Sequence, residues 1–68
     1  MPWHSTAARE EILLGCQGMV RVEIESAIGR RRKVYRLERG ASLFLPAHTR
    51  HRVINRSRRP SIYLYFTA

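Results

Sequence analysis

The side chains able to do chemistry in this chain are imidazoles and carboxylates. Histidine stands at positions 4, 48 and 51, glutamate at 10, 11, 23, 25 and 38, and aspartate is absent. Nothing resembles a Ser-His-Asp triad, which here could only use glutamate, and no glycine-rich loop cradles a phosphate. Imidazole with carboxylate is instead a donor set for a divalent ion. His51 opens an alternating, inward-facing set with Val53 and Asn55; it is either a ligand or a buried ring bonded to a neighbouring strand. His4 lies three residues from the chain start, where chains fray unless tied down, so it needs a partner strand or Trp3 as an anchor. His48 falls in the turn between Pro46 and His51. Thr49 and Arg50 put it on a different side from His51, as a solvated turn residue or part of the pocket rim. Cys16 is the single cysteine. It forms no intramolecular disulfide, reads as a small apolar residue, and leads us to expect a reducing, cytoplasmic setting.

The elements that must position these groups are strands. Val20, Val22 and Ile24 alternate with Arg21, Glu23 and Glu25, the period of two of a half-buried strand. Gly29 suits a hairpin turn, and Val34 to Glu38 returns with Tyr35 and Leu37 on one face. Leu43 to Leu45 is stopped by Pro46, which cannot donate to a ladder. His51 to Asn55 follows. In the last strand Ile62, Leu64 and Phe66 alternate with Tyr63 and Tyr65. Glu11 to Gly15 is a further strand near the start. Only Ser5 to Glu11 carries a weak helix-start signal, enough for one turn. Six or seven short strands with regular turn signals predict an all-β sandwich or barrel occupying residues 1–68 as one domain.

Two segments carry a resemblance. GASLFLPAHTRHRVIN, from Gly40 to Asn55, resembles the second motif of the cupin superfamily, G-x5-P-x-G-x2-H-x3-N; His48 stands where that motif has its middle glycine. HSTAAREEILLGCQG, from His4 to Gly18, is similar to the first motif, H-x-H-x4-E-x6-G, with Thr6 in place of the second histidine. The resemblance implies a small jelly-roll (double-stranded β-helix) barrel. It also implies convergence of His4, Glu11 and His51 on one divalent ion, with Fe, Mn, Zn and Ni equally admissible. Glu11 rather than Glu10 is indicated because only Glu11 reaches Gly18 at the motif spacing. Thr6, a poor ligand, is expected to orient a water or substrate. Gly15 should enlarge the pocket beside the metal or else mark a bulge. Thr6, Gly15, His48 and Val53 complete the expected pocket. Metal-assisted oxygenation or isomerisation is the chemistry the resemblance implies for an enzyme. The alternative is a non-catalytic ligand-binding or regulatory barrel with a degenerate site.

Composition bounds the rest. Thirteen Lys and Arg oppose five Glu, for a formal charge of +8 on 68 residues. Eleven of the 13 lie from Arg30 to Arg59, concentrated in Arg30 to Lys33 and Arg50 to Arg59, which read as turns. They are expected either to select a small anionic ligand or, as a lesser reading, to bind nucleic acid; against the latter, the aromatics sit elsewhere in the sequence. The apolar runs are too short for a membrane-spanning helix, and the start shows no basic stretch followed by an apolar one. A chain this short has a marginal core and generally needs a metal or a second subunit. Family members have strands before the first motif histidine, so an N-terminally truncated barrel is expected. Its unpaired sheet edge would be covered in a homodimer by extended sheets or exchanged strands.

Overall fold

The computed structural model describes residues 2–25, 31–56 and 58–68. The expected turn at Gly29, and Arg30 at the head of the basic run, lie outside them. Seven strands follow one another: β1 (His4–Ser5), β2 (Glu11–Gln17), β3 (Met19–Glu25), β4 (Arg32–Glu38), β5 (Ser42–Leu45), β6 (Arg50–Ile54) and β7 (Ile62–Thr67). They form two sheets, one ordered β1-β6-β3-β4 and the other β5-β2-β7, with every neighbouring pair antiparallel. This is the all-β architecture expected, and no helix occurs among the described residues. Ser5 spends its capping capacity on a turn instead: its hydroxyl accepts a hydrogen bond from the Ala7 N–H at 3.0 Å.

The core lies between the sheets. Leu13 and Leu45 from the three-stranded sheet meet Val20, Val22, Leu37 and Val53 from the four-stranded one. Val20 and Val22 are buried as their alternation predicts. Glu23, on the supposedly wet side, is nevertheless only 5% exposed. It is covered by Arg52 of β6, its register partner, whose Nε donates to the Glu23 carboxylate. A buried carboxylate persists here because it is paired.

One expectation is corrected. The basic runs are not confined to turns: Arg32 and Lys33 lie in β4, Arg50 and Arg52 in β6. In β7, apolar or aromatic on both faces, strand pairing decides which residues point inward. Directly paired residues on antiparallel strands share a face, and the β2–β7 register sets Tyr65 opposite Leu13 and Tyr63 opposite Gly15. Since Leu13 points into the core, the tyrosines point inward, and Ile62, Leu64 and Phe66 point out, each about half exposed.

Gly15 has a structural reason unrelated to a pocket. A Cβ there would stand 2.1 Å from the Glu38 carbonyl oxygen. The chain leaving β4 is laced onto this point: the Gly15 N–H donates to the Ala41 carbonyl at 2.9 Å, and the Gly40 N–H donates to the Gly15 carbonyl at 2.9 Å. The register of β2 with β7 shifts just beyond, between Gly15 and Gln17, so the bulge reading holds in this neighbourhood.

Candidate metal centre

β1 and β6 pair so that His4 and His51 are directly opposite. Their rings meet edge to face with centroids 4.2 Å apart. This pairing supplies the partner strand that His4 requires. A second fastening is Thr6, which is buried: its hydroxyl donates to the Pro46 carbonyl at 2.8 Å and accepts from the Thr49 N–H at 3.0 Å. Its own N–H donates to the Thr49 carbonyl at 3.0 Å. Thr6 therefore ties the N-terminal segment to the β5–β6 turn. Thr6 is not among the residues lining the cavity, and the two bonds of its hydroxyl are made to this turn.

Glu11 reaches the histidines from the other sheet, at the start of β2. One ligand atom from each of His4, Glu11 and His51 lies within 4.8 Å of the others. Two donors bound about 2.1 Å from one ion stand at most about 4.2 Å apart, so small side-chain rotations close the cluster onto an ion. His51 is 1% exposed, and its Nδ1 faces the Thr49 carbonyl at 3.2 Å. With the proton on Nδ1, that contact leaves the Nε2 lone pair for a metal, the usual arrangement for a ligating imidazole. His4 Nδ1 faces the Pro2 carbonyl at 3.4 Å, a longer contact of the same kind. Donor type, proximity and orientation thus fit a divalent ion.

The three groups open onto a cavity of about 200 Å³ whose other walls are Leu13, Val53, Tyr63 and Tyr65. Val53 stands where the sequence puts it. The two tyrosines were missed, because every residue of Ile62 to Phe66 is apolar or aromatic and a period of two cannot choose the inward face. Burial, reinforced by the neighbouring Tyr65 and Glu11, raises the Tyr63 phenol above its ordinary value, so it stays protonated at neutral pH. Gly15 and His48 are not among the lining residues. His48 lies in an exposed turn at φ 58° and borders a separate groove with Ile24, Lys33, Tyr35 and Pro46. That left-handed backbone explains why glycine suits the motif here. Asn55, expected to face inward with His51 and Val53, is instead exposed just past the end of β6, where its amide donates to the Arg59 carbonyl at 3.1 Å.

The arginines also depart from expectation. Among the described residues no lysine or arginine lines the cavity, so those arginines do not form its rim. Three of them gather instead around Trp3, with the guanidinium carbons of Arg52, Arg32 and Arg50 at 4.8, 5.3 and 5.6 Å from the ring. One aromatic does therefore sit among the basic residues, brought there by the fold.

Comparison with curated proteins and with solved structures gave no match. Comparison with family models gave one, described as Cupin domain, over residues 1–67. The two motifs, the antiparallel sheets and nearly the full length of the chain agree, and the chain belongs to the cupin domain family.

Proposed function

We propose that this protein binds one divalent metal ion through His4, Glu11 and His51, and uses the ion's remaining positions to hold a small molecule in the adjoining cavity. The observation that carries the reading is the gathering of three donor atoms within 4.8 Å from two different sheets. A bound divalent ion supplies Lewis acidity and, if redox-active, electrons. The chain itself supplies the rest. Tyr63 and Tyr65 present phenols to a ligand beside the donors, and Leu13 and Val53 give it apolar contact. Phenols and apolar walls, with no lysine or arginine lining the cavity among the described residues, suit a neutral or weakly polar ligand that meets the ion directly.

Metal analysis of protein purified without chelators tests this. Near one equivalent is expected in the unmodified chain and in His48→Ala, with loss in His51→Ala and Glu11→Ala. Visible absorption on Co²⁺ titration gives a readout independent of any activity. Failure of the unmodified chain to take up stoichiometric metal would return the cavity to a metal-free binding role.

The Trp3 cluster supports a second reading, association of the outer face of the four-stranded sheet with a single-stranded nucleic acid. Stacking on an aromatic beside arginines is a common means of such binding. Trp3 is the single tryptophan, so its fluorescence reports directly. Quenching by an oligonucleotide at about 0.15 M salt supports this reading, and quenching confined to low salt dismisses it as charge alone.

A further inference from the structure

The outer face of the β5-β2-β7 sheet has no partner element among the described residues. Register places Ile12 between Phe44 and Phe66, and Leu14 beside Leu64, with Ile62 at the end of the same face. Five of these, all but Leu14, are 47–56% exposed. They are five of the eight exposed large hydrophobic residues among those described. Ser42, opposite Leu14, lies on this face as well, and past the register shift Gln17 joins it opposite Ile62; none of the eight side chains is charged. In a chain of +8 this is an unusual surface. Its exposed area is on the order of 500 Å², at the upper end of the largest apolar patch of an ordinary monomer.

We propose that this plate is the face through which two copies of the chain associate, sheet against sheet about a two-fold axis. An isologous contact needs a patch that complements itself, and an uncharged apolar plate does so. With its rim, the patch approaches the roughly 800 Å² per partner of a stable interface. Ile12, Phe44 and Phe66 border a depression of about 220 Å³, rimmed by Glu10, Glu11, Thr67 and Ala68, that can receive an aromatic ring from the other copy.

Charge selects the occupant. Arg32, Arg50 and Arg52 cluster with Trp3 on the outer face of the other sheet. Plate-to-plate contact points those two clusters away from each other, separated by two domain thicknesses and well beyond a screening length of about 8 Å. The contact is face to face, not the edge pairing or strand exchange expected from sequence, and it does not depend on the metal reading.

Sedimentation of the full chain across micromolar concentrations, with and without chelator, tests the proposal. A mass of twice 8.0 kDa is expected in both conditions. Phe44→Glu with Leu64→Glu should be monomeric, weakening association at least tenfold while the circular dichroism is kept. Arg36→Glu, on the other sheet, should remain dimeric. A monomeric unmodified chain or a dimer persisting in the double variant would overturn the proposal.

Discussion

At the scale of single residues, some positions rest on one bond or one backbone angle that a substitution changes. Thr6→Val deletes a buried hydroxyl bonded on both sides and strands the Pro46 carbonyl and the Thr49 N–H. A loss of about 2 kcal/mol in urea unfolding is expected. His48→Gly should do the reverse. Its left-handed backbone at φ 58° costs a non-glycine residue about 1 kcal/mol or more, so the variant should gain up to about 1 kcal/mol with unchanged metal content. Glu23 sets an acid limit. The hydrogen bond from Arg52 holds its carboxyl below the ordinary 4.5. A group depressed on folding contributes stability above its unfolded value and loses it as pH falls through the folded one. The contribution is complete at neutral pH and declines below about 4.5, and Glu23→Gln should flatten that part of the thermal stability profile.

At the scale of elements, β2 does the most positioning. It offers Glu11 to the site, Leu13 to the core and Gly15 to the crossing chain, all from one face. The motif spacing made Glu11 legible in the sequence. The role of Gly15 was not legible, because the group it accommodates is the Glu38 carbonyl, 23 positions away and brought there by the β4–β5 turn. Gly15→Ala should therefore cost about 3 kcal/mol or more in stability, since backbone on both sides must move. Measured at equal folded fraction, its metal content should match the unmodified chain. β7 teaches the same lesson: an Ile-Tyr-Leu-Tyr-Phe strand is apolar on both faces. Only pairing with β2 decides that the tyrosines line the cavity.

For the whole molecule, the donor set bridges the two sheets, His4 and His51 on one and Glu11 on the other. An ion bound there cross-links the sandwich, so metal binding is coupled to stability. At a free metal concentration 100 times the dissociation constant, linkage predicts about 2.7 kcal/mol of added stability. A rise in Tm on adding Zn²⁺, reversed by chelator and absent in His51→Ala, is the expected outcome. A core of six buried hydrophobic side chains among the described residues makes such help consequential.

What the sequence determined by itself is what depends on local order: alternation gave the strands, and the two motifs gave the family and the three donors. Period-two patterning is a local property, and motif spacing fixes which residues recur. The tertiary structure decided what depends on chain segments meeting. It turned Thr6 from a pocket hydroxyl into a fastening, moved the arginines from the cavity rim to Trp3, and turned the aliphatic side of β7 outward. Each follows from strand pairing between residues far apart in the chain, where register and not composition chooses the face.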